Sequence, residues 1–449
     1  MVLLIKQPPN AGPLRLGGAR LLGWAERHPA PALLLILLVA LILGLVHLWL
    51  YPPSHHFNWE NRWWQIAVHV ARGEGYVACK TIYFPFCGPD NQITAMREPL
   101  PTLLFAIVAR VTNESLRAAA VMGVVINIGV VIAIFLLTRE LANTLTAMLA
   151  ATLWVSYLPP IRVLYGQVSG DLLAALSITC GLLYFVRARR TNRYSLWLGS
   201  GVWLGIAIMC RSAVLIIALA LTASLIVRYA ASRRSGMPSL RHVALFTSSW
   251  GLITVPWLVR NYLAFDRPVI GSTLSGYYLY RQNHQLASDN YLRFVSGGEF
   301  VPVIKDMIRR RPDLTGAENE ATMDLVYREE ALRTIQSHPL RYLKLSAYRF
   351  LMLYFDWGIK QVYRQQPAIG DYAARLQHGL LLAGGAVGLG LRWRRGWPLG
   401  LSVAVFSLVY MAVMAQMLYI VAVMPLLVAL SAIACAEIWA RARVRWRMV

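Results

Sequence analysis

Along most of this chain apolar residues do not alternate with polar ones. They come in unbroken runs separated by short basic stretches. A helix needs about 20 apolar residues to cross a hydrocarbon core of roughly 30 Å. Backbone groups in such a core must be satisfied within the protein, which runs of this length achieve as helices. Ten segments read as spanning, at about 31–51, 118–138, 141–158, 172–187, 196–210, 212–228, 243–262, 376–391, 397–415 and 416–438. Two more apolar stretches stand apart. Pro99–Val111 is too short to span and reads as interfacial or re-entrant. Leu340–Trp357 carries Arg341, Lys344 and Arg349 among aromatics and reads as a helix lying in the interface. The expected fold class is an all-α polytopic membrane protein. About ten transmembrane helices are expected, and between 10 and 13 are compatible with the pattern. Residues 1–449 read as a single integral membrane domain.

Composition agrees. Hydrophobic residues make up 57% of the chain, charged residues 14%, and the mean hydropathy is +0.50. An ordinary soluble domain has about 25% charged residues. The first apolar run reads as an anchor, because Tyr51-Pro52-Pro53 follows it where a cleavable signal would have small residues. The net charge of +23 would suggest nucleic acid in a soluble protein. Here the basic residues sit in short loops between apolar runs, so nucleic acid is excluded as a partner and the lipid bilayer is expected.

The loop charges fix an orientation. Lys6, Arg15, Arg20 and Arg27 lie at the start of the chain. Arg139 follows, then Arg187, Arg189, Arg190 and Arg193, then Arg228, Arg233, Arg234 and Arg241. Arg392, Arg394 and Arg395 come next, and Arg441, Arg443, Arg445 and Arg447 close the chain. These segments hold 20 basic residues against only Glu26, Glu140 and Glu437. With ten spans they all fall on one side, which the positive-inside rule makes the cytoplasm. Both termini are then cytoplasmic in an inner (plasma) membrane, and the two long loops, 52–117 and 263–375, face the periplasm or exterior. The second loop contains Gly276-Tyr277-Tyr278 and a helical stretch from Glu318 to Ser337.

Charged groups near a membrane are costly and tend to serve function. Glu60 is expected to begin an amphipathic helix with Trp63, Ile66 and Val70 on the membrane side. An acid at a helix start also has a purely structural use, against the helix dipole. Asp171, after Ser169-Gly170, is either a helix cap or an acid facing the same site as Glu60. Arg211 lies at a tight outer turn, and Arg260 closes a span in Pro256-Trp257-Leu258-Val259-Arg260-Asn261-Tyr262. Either snorkels to headgroups or binds phosphate through its bidentate fork. Cys79 and Cys87 share the first outer loop; a disulfide is one reading and two free thiols the other. Cys180, Cys210 and Cys435 lie in apolar runs and read as packing residues. His55 and His56 make no metal motif by themselves, so no cofactor is assigned, with a divalent metal left open.

Taken in order, several stretches resemble the GT-C glycosyltransferases that use polyprenyl-phosphate sugars, in particular the protein O-mannosyltransferase and aminoarabinose transferase relatives. They are Trp59-Glu60 followed by Trp63 and Ala67, then Gly73-Glu74-Gly75-Tyr76, then Arg97-Glu98-Pro99-Leu100-Pro101. Gly205-Ile206 to Arg211, Pro256 to Tyr262, and Glu329 to Pro339 continue the series. The resemblance implies sugar transfer on the outer face, with inversion, to a lipid, glycan or protein acceptor. It implies Glu60 and Asp171 as the catalytic acids and Arg97, Arg211, Arg260, Asn261 and Tyr278 as donor-binding residues. Two positions depart from the family. Its first acid is Trp59 here, and its Arg-Tyr-Arg before the last span is Gln416-Met417-Leu418-Tyr419. Two other readings stay open. A transporter or flippase would place acids or broken helices at the midplane, and a non-catalytic GT-C-fold envelope protein would explain Trp59.

Overall fold

The computed structural model describes residues 23–60, 62–88, 92–159, 168–231, 239–359 and 368–445, apart from the side chains of 57, 59, 60 and 443–445. Helices dominate it, and among the described residues β-structure is limited to an isolated bridge between Val77 and Ile93. All ten segments expected to span are helical. Among the described residues seven helices are long and apolar enough to cross a membrane: Pro29–Leu50, Leu116–Leu141, Asp171–Thr191, Ser212–Ala231, Leu240–Phe265, Trp393–Val413 and Met417–Ala442. Thr144–Val155 and Tyr194–Cys210 are apolar but shorter. At 1.5 Å per residue, Thr144–Val155 reaches only about 18 Å. Ile369–Leu391 packs along the last helix, where Gly388 lets the two backbones meet.

The basic loops gather at one end of the bundle. Arg187 and Arg190 pair with Glu140 at 3.1 and 2.8 Å, and Arg392 pairs with Glu437. Arg189 and Arg228 lie over the Trp397 ring at 4.8 and 5.1 Å. Asp171 opens the helix whose far end carries Arg187–Arg190, so it sits about 24–28 Å away, at the opposite end.

At that opposite end the two long loops build a cap with its own core, made of Phe84, Met96, Tyr277, Phe300, Met323 and Tyr327 among others. A disulfide joins Cys79 and Cys87, whose Cα atoms are 5.8 Å apart. Glu60 does not begin the expected amphipathic helix. It ends a short one, His55–Glu60, and a second helix, Trp63–Ala71, starts after Arg62 in the left-handed region at φ 68°. Trp63 and Ile66 are buried rather than laid on the membrane face. The reason is a better partner: Trp63–Ala71 packs against Pro99–Val111, so two short apolar faces remove each other from water. Leu340–Trp357 is largely helical as expected, over Pro339–Phe355.

Two buried ionisable groups in and beneath the cap hold it in place, one tying it to the bundle and the other tying its two loops together. Arg349 is 1% exposed. Its guanidinium donates to the carbonyls of Met411 and Ala412 at 3.1 and 2.9 Å, to that of Gln282 at 2.7 Å, and to Asn283 Oδ1 at 3.1 Å. Those carbonyls end the Trp393–Val413 and Ser275–Asn283 helices, where a cation meets the negative end of each helix dipole. Arg349→Ala leaves these acceptors unpaired. It should lower the unfolding free energy by about 3 kcal/mol. An unchanged melting temperature in detergent would show that the arginine is dispensable.

Glu320 is the second. Its carboxylate accepts from the Ala95 backbone N–H and from Thr94 and Thr273 Oγ1, both at 2.8 Å, joining both loops. Burial pushes its carboxyl up to about 7, against the opposing pull of those donors and of Arg260. A folded-state value above the unfolded one means stability is fully present below about pH 4.5 and is lost as pH rises toward 7. That loss is at most about 3 kcal/mol. Melting curves at pH 5 and pH 7.5 should differ in the wild type, and the difference should shrink in Glu320→Gln. Parallel pH dependence in the two proteins would assign the effect to another group.

Candidate active site

Three chain segments meet where the cap sits on the bundle. Gly170 precedes the Asp171 helix with no room for a side chain: a Cβ there would lie 2.4 Å from the Cys210 carbonyl oxygen and 3.3 Å from the Trp63 ring. This close approach sets Asp171 beside Arg211. Asp171 is 2% exposed, and its Oδ1 accepts from Arg211 Nη1 in a buried ion pair. Arg211 caps Tyr194–Cys210 in extended conformation and donates through Nε to Tyr410 Oη at 2.7 Å. It also lies 4.6 Å from the Tyr419 ring centre, and the Tyr410 and Tyr419 rings stack at 5.1 Å.

The Arg97-Glu98-Pro99 stretch holds that turn. Glu98 Oε1 accepts from both the backbone N–H and the hydroxyl of Ser212, each at 3.0 Å. Tyr76 Oη donates toward the Arg97 and Glu98 carbonyls at 2.8 and 3.2 Å and contacts Thr102 Oγ1 at 3.0 Å. Gly73 and Gly75, at φ 81° and 94°, make the turn that brings Tyr76 there. Arg97 lies 5.5 Å from the Trp63 ring and hydrogen-bonds Tyr278, while Arg281 stands 5.1 Å from the same Tyr278 ring. The cluster thus runs from Asp171 through Arg211 and Tyr419 to Tyr278, Arg97 and Arg281.

Of the residues expected from sequence, Asp171, Arg97, Arg211 and Tyr278 come together. Arg260 and Asn261 do a different job. Arg260 donates to the Thr94 carbonyl at 2.9 Å and to Asn261 Oδ1 at 2.8 Å, over the Trp257 ring at 4.9 Å. Asn261 Nδ2 in turn donates to the Val269 carbonyl at 2.8 Å. The pair ties the end of a bundle helix to the first loop. The Glu60 side chain lies outside the described residues, but its helix is anchored at the site: buried Asn58 accepts the Val168 N–H through Oδ1 at 2.7 Å, three residues before Asp171.

Sequence reasoning missed Glu98 as a ligand of the Ser212 turn, and it missed Arg281, Tyr410 and Tyr419. Glu98 stood inside a quoted motif and could have been found there. Tyr419 closes the quoted stretch Gln416-Met417-Leu418-Tyr419 that departs from the family, while Arg281, in a loop helix, and Tyr410, in a span, have no pattern to mark them. Among the described residues no group of three or more His, Cys, Asp or Glu is placed to hold a metal ion.

Residues 96–259 match the family described as dolichyl-phosphate-mannose-protein mannosyltransferase. No curated protein matches the chain in sequence. Among solved structures, the chain is similar to the oligosaccharyltransferase of Archaeoglobus fulgidus tethered with an acceptor peptide. The TM-score is 0.55 at 15% identity over 94% of this chain and 51% of that one. The same archaeal enzyme in complex with an inhibitory peptide and a dolichol-phosphate gives 0.50 at 14% identity, covering 95% and 52%. The chain spans about half the length of that enzyme, so the likeness is one of fold. The resemblance carried by the motifs is therefore met over residues 96–259 by a match to the dolichyl-phosphate-mannose-protein mannosyltransferase family, and the fold of the chain is similar to that of the archaeal oligosaccharyltransferase.

Proposed function

We propose that this protein is a membrane glycosyltransferase. It moves a sugar from a polyprenyl-phosphate donor to a lipid, glycan or protein acceptor. The reading rests on one observation above the others. The buried Asp171–Arg211 pair, with Arg97 and Tyr278 beside it, lies at the cap end of the bundle and within or next to the matched segment. A phosphate on a lipid tail can reach that depth, and a guanidinium offers it paired donors. Relatives in fold have been solved with a dolichol-phosphate and with an acceptor peptide.

The acceptor hydroxyl gives its proton to a carboxylate as its oxygen bonds to the anomeric carbon from the face opposite the phosphate. The bond from that carbon to the phosphate oxygen breaks. The electron pair leaves with the polyprenyl phosphate, whose growing charge Arg211 and Arg97 stabilise. Asp171, held by Arg211, serves best as the residue that orients that arginine. Glu60, at the end of the helix anchored through Asn58, is left as the better base. An oligosaccharyltransferase of this fold has been crystallised with Zn and sulfate. Here Asp171 is taken by Arg211 and Glu98 by Ser212, and His55 and His56 are exposed. No step of this scheme runs through a metal.

Transfer from a labelled polyprenyl-phosphate sugar in membranes tests the reading. Arg211→Ala should raise the donor KM, as loss of a charged phosphate contact costs about 2–5 kcal/mol. Glu60→Gln should lower kcat by roughly 10²–10⁴ with little change in donor KM. Arg260→Ala should lower the melting temperature and leave the donor KM alone. Wild-type membranes that transfer no sugar from any polyprenyl phosphate would favour a non-catalytic role.

The basic end of the bundle is assigned to the cytoplasm of an inner (plasma) membrane, with the cap and the site outside. Single cysteines at Ser195 and Lys305, both exposed and at opposite ends, check it. An impermeant maleimide should modify Lys305→Cys in intact cells and Ser195→Cys only after permeabilisation. Equal labelling of both before permeabilisation refutes the orientation.

A further inference from the structure

A buried guanidinium normally meets a carboxylate or a full set of oxygen acceptors, because an unpaired charge away from water is costly. Arg281 has neither. It is 6% exposed, and no carboxylate pairs with it among the described residues. Its Nε is buried without a hydrogen-bond partner. One terminal nitrogen, Nη2, points at the thioether sulfur of Met414 at 2.7 Å, a weak acceptor. The rings of Tyr277, Tyr278 and Phe294 surround the charge at 5.5, 5.1 and 5.6 Å. Tyr277 also hydrogen-bonds the guanidinium, one neutral oxygen for a group with five N–H donors, and ring faces attract a cation without satisfying those N–H groups.

Its position is as telling as its poverty of partners. The Tyr278 ring it faces belongs to the side chain that Arg97 hydrogen-bonds. Tyr419, beside which Arg211 lies, is also within electrostatic reach of Arg281. Arg211 is neutralised by Asp171, and Glu98 carries a second negative charge nearby. Asp171 is taken up by Arg211 and Glu98 by the Ser212 turn, so neither of these carboxylates pairs with Arg281.

We propose that Arg281 is a second phosphate-binding residue of the site, reaching down from the cap helix Ser275–Asn283 to take the anionic head of the lipid donor from the side opposite Arg211. This deepens the donor reading given above and rests on it. It makes the cap part of the donor site: the bundle supplies Arg211 and the cap supplies Arg281.

The whole protein in lipid nanodiscs tests it, with three probes: a polyprenyl phosphate, the matching neutral polyprenol and inorganic phosphate. The wild type should bind the polyprenyl phosphate more tightly than the polyprenol. Arg281→Met keeps length and apolar bulk and removes the charge. It should weaken the polyprenyl phosphate by about tenfold or more, leave the polyprenol unchanged, and hold or raise the melting temperature of the empty protein. Arg281→Lys, which keeps the charge without the fork, should fall between. A purely structural arginine gives the reverse: a lower melting temperature in Arg281→Met with the lipids still told apart as in the wild type. That result overturns the proposal and leaves the donor reading standing. A wild type that binds phosphate and polyprenol forms equally overturns both. Inorganic phosphate competing as well as the lipid assigns the site to free phosphate and overturns the donor assignment.

Discussion

The ion pair between Asp171 and Arg211 is the constraint around which the rest of the site is arranged. Two charges held out of water cost several kcal/mol each, and the pair is tolerable only with good geometry and further hydrogen bonds. The surroundings supply both. Gly170 lets the Asp171 helix start against the Cys210 carbonyl. Glu98 fixes the backbone of the residue after Arg211, and Tyr410 takes the remaining Nε donor. Tyr76 then fixes the carbonyls on either side of Arg97 and Glu98, and two glycines give Tyr76 its place. Motif residues that lie far apart in sequence are thus one mechanical unit, whose product is a fixed guanidinium beneath the cap.

The bundle was legible in the sequence because its physics is one-dimensional. Apolar run length and the sign of the flanking loops are local properties, and the ten expected segments all form helices, with the basic loops gathered at one end. Glu60 shows where that reading stops. The periodicity of Trp63, Ile66 and Val70 marks an apolar face correctly, yet says nothing of what covers it. The membrane was the nearest guess, and Pro99–Val111 was the answer. The arginines show the same limit. Arg211 and Arg260 look alike in sequence, each at the end of an apolar run. One meets a carboxylate and the other meets carbonyls of a loop, because only the fold decides which acceptors lie within reach.

Polarity along the bundle axis explains why the site is at the cap end. The basic loops occupy one end, paired with the few acids there or laid over Trp397. The other end carries most of the acids, the aromatics and the cap. A lipid with a charged head can present it at either membrane surface, but at the cap end protein covers the meeting point. Covering matters electrostatically: the same guanidinium acts more strongly on an anion when water is excluded. The Glu320 junction and the Arg349 contacts therefore serve the site even though neither residue is part of the cluster, since they hold the cover in place.

Comparing the buried arginines separates support from function on physical grounds. Arg349 is nearly inaccessible, and four oxygens receive its N–H groups. Arg260 is held by a carbonyl and by Asn261, within a shell of rings. Both are complete without any ligand. Arg211 is complete through Asp171 and Tyr410 but keeps its face against Tyr419, at the wall shared with Tyr278. Arg281 alone of these four combines deep burial with an unpartnered Nε and a thioether where an oxygen would serve better. Burial sets Arg349 and Arg281 apart from the half-buried Arg211 and Arg260 but does not distinguish Arg349 from Arg281. What distinguishes Arg281 is that the protein does not supply its acceptors, and a fold that leaves one buried guanidinium short of them beside the Asp171–Arg211 pair is shaped for an anion that comes from outside.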